Sequence, residues 1–336
     1  MVHHARSLPV VAGLVMKPVP VTLVTGFLGA GKTTLLNRVL SSNSGRKFAI
    51  IENEYGDLGV DGALLSNPRD AVYELNDGCV CCTVRDDLIA VFEQLLDRPD
   101  QLDHVIIETT GLAEPAPVLR IFDIPFIQDA FRLDGVVTVV DAAHIEESMS
   151  DVSTCAEQIS YADLIILNKV DCLAETELDS LEDRLKHLNP LAVLLRANHA
   201  QVDVETVLDL GGRTAEESVS LHHSHDHGTH QHDDAIQSFF VEADGDVDVV
   251  ALDRWLGRLV RQRGSTMLRM KGIIAVPGDP RRFVFNGVRS VIDVRPDRSW
   301  EQDTRASRIV FIGRGLDAQG LQAGFAACMS EAAPPS

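Results

Sequence analysis

The sequence predicts a doubly wound α/β domain followed by a smaller α+β domain, and three observations carry that reading. Between residues 21 and 196, short apolar β-rich runs alternate with amphipathic helical patterns. A glycine-rich turn stands between the first run and the first helix. Beyond residue 209 this alternation stops, and from 236 the pattern becomes strands separated by short turns, with a helix near each end.

The runs lie at 21–25, 48–52, 72–75, 105–108, 136–140, 164–167 and 192–195, with helical patterns at 35–40, 86–96 and 178–188 among those between them. Strands that are apolar on both sides belong in a parallel sheet covered on both faces. Ligands of such sheets bind in the loops after the carboxyl ends of the strands. Residues 18–208 are assigned to this domain and 1–17 to a loose tail in which Met16 is an alternative start. Residues 209–235, rich in glycine, charge and histidine and without apolar periodicity, read as a linker. In 236–330, strands at 236–241, 267–276, 282–285, 288–294 and 308–312 and helices at 249–261 and 316–328 read as a sandwich with helices on one face.

Composition narrows the function. Of 336 residues, 45% are hydrophobic and 24% charged, which fits a folded domain rather than a disordered or fibrous chain. The 30 basic against 50 acidic residues give a net charge of −20, a field that repels nucleic acid. No run reaches the ~18–20 apolar residues needed to span a bilayer. The short apolar run at 8–16 carries Pro9 and Gly13 and lies too close to the first strand to be a signal peptide. Six cysteines, three of them within 79–82, do not form a disulfide framework, and a reducing cytoplasm suits them. Isolated Cys155, Cys172 and Cys328 read as buried apolar residues.

Three motifs follow strands in order. Gly26-Phe27-Leu28-Gly29-Ala30-Gly31-Lys32-Thr33, followed by Thr34, fits the P-loop pattern between a strand and a helix. There glycines let backbone N–H groups curl around phosphates, Lys32 bridges the β- and γ-phosphates, and Thr33 ligates Mg²⁺. Glu108-Thr109-Thr110-Gly111 places a carboxylate near the Mg²⁺ shell and the Gly111 N–H near the γ-phosphate. Asn168-Lys169-Val170-Asp171 supplies an aspartate able to accept from guanine's ring N–H and exocyclic amine, a donor pair adenine lacks. Asn168 braces the loop and the Lys169 stem covers the base. The nucleotide is read as GTP, and with no arginine finger or water-positioning glutamine evident, intrinsic hydrolysis is expected to be slow.

Cys79-Val80-Cys81-Cys82 gathers soft ligands suited to Zn²⁺. Cys79 and Cys81 share a face of an extended segment while Cys82 points away. Six of the chain's 12 histidines, His222, His223, His225, His227, His230 and His232, crowd the linker and form a weak, exchangeable metal-collecting tract. His144 reads as a packed or surface residue.

Together with the stretch at 51–57, Asp61 and Asp141, these motifs resemble the CobW-type GTPases, a family that includes zinc chaperones and metalloprotein activators. The resemblance runs from about residue 18 to 328; within 268–272 and 309–313 it extends to the family's C-terminal domain. It implies a P-loop GTPase whose switch segments flank a metal-binding turn. On this chain those segments map to Glu52, Asn53, Glu54 and Asp57 on one side and Glu108 on the other, with Glu52 and Asp57 joining the cysteines as metal ligands. It also implies transfer of Zn²⁺ to a client apo-metalloprotein recognised with help from the C-terminal domain, and a nucleotide-dependent homodimer. A cobalt- or iron-specific insertase and a passive zinc buffer stay open as alternatives.

Overall fold

A computed structural model describes residues 17–42, 45–52, 71–74, 83–96, 102–151, 153–210, 236–264, 266–289, 291–301 and 303–330. The first sheet has seven strands in the order β3-β2-β4-β1-β5-β6-β7, all parallel. They are β1 Val19–Thr25, β2 Phe48–Glu52, β3 Ala71–Glu74, β4 His104–Glu108, β5 Phe131–Asp141, β6 Leu164–Asn168 and β7 Val193–Ala197. Strand side chains alternate between two cores. Val21, Leu23 and Val136 pack with α2 (Thr83–Leu96) and α3 (Pro115–Leu119) on one face, and Val24, Val137 and Val139 pack with α1 (Lys32–Ser41) on the other. The chain leaves β1 for one side of the sheet, returns through β4 to pair again with β1, and continues through β5 to the other side. The crevice at that reversal is where ligands bind in sheets of this type.

Three departures from the sequence reading have physical causes. β5 begins five residues before the expected run, because Val19↔Phe131 and Pro20↔Arg132 extend its pairing with β1. The final strand of the sheet lies at 193–197 rather than 192–195, with Ala197 aligned beside Asn168. Segment 112–130, which the sequence reading leaves unassigned, folds into α3 and α4 (Pro125–Ala130), each with proline in its first turn, where the missing N–H costs nothing. The helices α5 (Ile145–Asp151) and α6 (Ser153–Tyr161) then follow β5, and α7 (Glu175–Leu188) and α8 (Val204–Val207) flank β7.

The second domain is a five-stranded antiparallel sheet, β11-β10-β9-β12-β8, of β8 Ile236–Asp244, β9 Met267–Ala275, β10 Arg281–Val288, β11 Val291–Ser299 and β12 Ala306–Arg314. Helices α9 (Val249–Arg263) and α10 (Ala318–Ala326) cover one face through Leu252, Trp255, Leu321 and Phe325. The Asp248 carboxylate caps α9, accepting from the N–H groups of Val250 and Ala251. Pro296 falls inside β11, which is tolerated because β11 is an edge strand.

The opposite face of that sheet meets the first domain. Leu268 and Val288 join the core beside Tyr161, and Val310 and Ile312 pack on Leu191. At the amino end of β6, Asp163 is gripped by fully buried Arg269 and lies 3.5 Å from the Lys271 amine. Burial pushes the Lys271 amine down to about 8 against the pull of Asp163.

Candidate functional site

The turn after β1 is built from backbone conformations that side chains resist. Gly26, Gly29 and Gly31 have φ of 137°, 71° and 109°. A Cβ on Gly26 would also lie 2.1 Å from the Val139 carbonyl oxygen, so glycine is required there on both counts. Ala30 is buried, Gly29 and Thr34 are exposed, and α1 starts at Lys32 with its free N–H groups facing the turn. The Lys32 amine folds across this turn and donates to the carbonyls of Gly26 at 2.9 Å and Phe27 at 3.2 Å. Burial lowers its proton affinity, and the nearby Glu108 carboxylate opposes that shift.

Glu108 ends β4, adjacent to β1. Thr33 Oγ1 donates to Glu108 Oε1 at 3.4 Å, which brings the hydroxyl and the carboxylate of two separate motifs to one point. Oxygen donors of this kind suit Mg²⁺, and Thr33 with Glu108 would hold such an ion, whose chemistry is to neutralise charge on a phosphate chain. The following loop is anchored by Thr109, whose N–H donates to the Val24 carbonyl and whose hydroxyl donates to Thr25 Oγ1. Gly111 then passes so close to the turn after β1 that a Cβ would lie 2.5 Å from the Leu28 nitrogen. Glu52, at the end of β2, is in register with Glu108 on one side and with Glu74 of β3 on the other.

Asn168 is 2% exposed and ties three loops together. Its Nδ2 donates to the Ala30 carbonyl at 2.9 Å and its Oδ1 accepts from the Ala200 N–H at 2.9 Å. Lys169 adopts a left-handed φ of 61°, and its amine donates to Asp141 Oδ2 at 2.7 Å. Those contacts hold the Asp141 carboxyl below the usual carboxylate range despite its burial. The same Asp141 oxygen lies 3.0 Å from His144 Nδ1, so His144 is a surface residue with a defined partner. Asp171 is exposed, and its N–H donates to Asn198 Oδ1 at 3.1 Å.

Sequence reasoning missed the loop at 197–200, which closes this end of the site. His199 and Ala200 both sit at positive φ, of 50° and 51°, with no glycine to signal it. Asn198, a turn former just past a strand, was the available hint.

The proposed metal ligands Asp57, Cys79, Cys81, Cys82, His222, His223, His225, His227, His230 and His232 lie outside the described residues. Among the described residues no group of three or more potential ligands is assembled. Of the isolated thiols, Cys155 and Cys328 are buried as expected, and burial lifts Cys155 to about 11. Cys172 corrects the sequence reading: it is exposed, in the short turn after β6 whose Val170 takes the core contact instead.

A parallel sheet with a glycine-rich phosphate turn after β1, an acidic residue after its neighbour β4 and Asn-Lys-x-Asp after β6 defines a P-loop GTPase fold. Residues 20–196 match the CobW/HypB/UreG nucleotide-binding domain, and residues 236–329 match the cobalamin synthesis protein cobW C-terminal domain. The chain belongs to the CobW family. It is 35% identical to zinc chaperone YjiA of Escherichia coli K12 over 93% of this chain and 99% of that one. It is 38% identical to zinc chaperone CobW of Pseudomonas aeruginosa, over 94% and 92% of the two chains. The crystal structure of Zn(II)-bound YjiA GTPase from E. coli superposes with a TM-score of 0.70 at 30% identity, over 94% of this chain and all of that one. Among the described residues, no helix is long and apolar enough to cross a membrane.

Proposed function

We propose that this protein is a GTP-hydrolysing metallochaperone in which nucleotide state controls binding of Zn²⁺ and its transfer to client apo-metalloproteins in the cytoplasm. The observation that carries the reading is the convergence of Lys32, Thr33, Glu108 and Asn168 on one turn at the reversal of the sheet. The zinc chaperones and the zinc-bound GTPase to which the chain is similar support the choice of cargo.

In this reading the N–H groups of Gly26, Gly29, Ala30 and Gly31 and the first turn of α1, at Lys32, Thr33 and Thr34, cradle the phosphates. Lys32 carries charge to the β- and γ-phosphates, and Gly111 donates to the γ-phosphate. Water attacks the γ-phosphorus and the bond to the bridging oxygen breaks, leaving GDP and inorganic phosphate. Asp171 accepts from the guanine edge while Asn168 and the Lys169 stem hold the loop and cover the ring.

Zn²⁺ binds Cys79 and Cys81, with the remaining positions filled from Cys82, Glu52 and Asp57, and the histidines at 222–232 collect metal for this site. Glu52 supports the linkage because it stands in register with Glu108, so the carboxyl ends of neighbouring strands serve both cargo and nucleotide. Ordering of the loops by the γ-phosphate gathers the ligands, and hydrolysis releases them. Leu28 and Leu112, 58% and 55% exposed on the two loops flanking the site, offer the apolar contact for a nucleotide-dependent homodimer. The net charge of −20 argues against a nucleic-acid partner.

Asp171→Asn tests the base assignment. It replaces one acceptor with an amide donor facing guanine's own donors, and the preference for GTP over ATP is expected to fall by about 10–100-fold. Competition of both nucleotides against a fluorescent GDP derivative measures this; an unchanged preference rejects the assignment.

A further inference from the structure

Helix α6 carries a buried glutamine that grips the loop after β4. Gln158 is 1% exposed, and its Nε2 donates to the carbonyls of Gly111 at 3.1 Å and Ala113 at 3.0 Å. Two carbonyl partners fix which end of the amide faces the loop. On its other side that loop is already pressed against the turn after β1, since nothing larger than glycine fits between Gly111 and the Leu28 nitrogen. Gln158 therefore holds Gly111 from behind.

The support is itself rigid. The Gln158 backbone carbonyl accepts from Thr138 Oγ1 of β5 at 2.8 Å. Its neighbour Glu157 accepts from Arg314 Nη1, at the end of β12, at 2.6 Å. Tyr161, at the end of α6, bonds to Arg289 in the turn between β10 and β11. α6 is thus fixed between the nucleotide-side loop and the second domain.

One detail separates this role from simple packing. Among the described residues Gln158 Oε1, which is buried, has no hydrogen-bond partner. An orphaned buried acceptor carries a stability cost that an apolar side chain of the same length avoids. A side chain serving only to fill space has no reason to keep it.

We infer that Gln158 is a positioning residue for GTP hydrolysis: its amide sets the Gly111 N–H where the γ-phosphate will lie, from a helix whose placement depends on the second domain. The inference rests on the GTPase reading above. It adds the group that orients the loop, and it gives the second domain a physical route to the rate.

Gln158→Met keeps the length and removes both the loop tether and the orphaned oxygen. Steady-state phosphate release and nucleotide affinity are measured for wild type, this variant and Gln158→Glu, with Lys32→Ala as the inactive reference. For Gln158→Met, which leaves the Gly111 and Ala113 carbonyls without their amide donor, we expect a somewhat lower thermal midpoint, GDP affinity within twofold, and kcat lowered about tenfold. For Gln158→Glu, which cannot donate while ionised, the deficit narrows as pH falls and the carboxyl regains a proton; a purely structural lesion would not do this.

A Gln158→Met kcat within twofold of an active wild type overturns the inference and leaves the GTPase reading intact. If Gln158→Met fails to fold, the Gln158→Glu profile decides, and a profile parallel to wild type overturns the inference. Wild-type phosphate release no greater than that of Lys32→Ala overturns both.

Discussion

Lys32→Ala is expected to lower kcat/KM for GTP by about 10³-fold while the protein stays folded. The Lys32 amine is the cation held inside the turn after β1, oriented by the Gly26 and Phe27 carbonyls before any substrate arrives. Preorganised donors in enclosed sites typically stabilise a transition state by ~10²–10³-fold, and a full charge on a transferring phosphoryl group belongs at the upper end. Lys32→Arg is expected to be nearly as damaging, because a planar guanidinium does not fit a turn closed by two carbonyls. Phosphate release under single-turnover conditions, read beside circular dichroism, measures the effect. A folded Lys32→Ala protein within tenfold of wild type would contradict the site.

Acid is expected to destabilise the first domain through one histidine. His104, at the start of β4, is 1% exposed, lies with its ring tilted 52° to that of Phe48 and shares a 2.8 Å hydrogen bond between its Nε2 and Thr22 Oγ1. Burial pulls its pKa from 6.5 down to about 4, only partly offset by the carboxylates of Asp134 and Asp209. Because the folded value lies below the unfolded one, the unfolded chain binds the extra proton first. The contribution to stability is therefore complete above pH 6.5 and is lost as pH falls toward 4, amounting to about 3 kcal/mol over that window. His104→Gln keeps a polar partner for Thr22 but does not titrate. Urea unfolding at pH 7 and pH 4 should show a loss smaller by about that amount in the variant, and identical losses in both proteins would contradict the account.

Some of this was legible in the chain and some was not, for physical reasons. The turn at 26–33 is contiguous, so its glycines and lysine could be read together, and the positive φ values at Gly26, Gly29 and Gly31 explain why those residues stand there. Glu108 and Asn168 were legible because each ends an apolar run. What they touch was not: Thr33 meets Glu108 across 75 residues and Asn168 meets Ala30 across 138. The loop at 197–200 was hidden because His199 and Ala200 take left-handed conformations that their side chains do not announce. The role of Gln158 is not legible locally, since its two acceptors lie more than 40 residues away. In β9, nothing local to Arg269 and Lys271 announces their burial; it comes from the docking of the two domains around Asp163. The metal residues remain as the sequence proposed them, apart from Glu52, whose place beside Glu108 ties the proposed cargo site to the nucleotide site.

The proposed function requires nucleotide state and metal affinity to be linked. Zn²⁺ affinity measured by competition with a calibrated chelator, on protein lacking residues 222–232, with Mg²⁺ and either GDP or a non-hydrolysable GTP analogue, tests it most directly. At least tenfold tighter binding is expected with the GTP analogue, about 1.4 kcal/mol of coupling, with loss of that difference in Cys81→Ser. Equal affinities in the two nucleotide states would contradict it and leave the cysteine turn a passive zinc site.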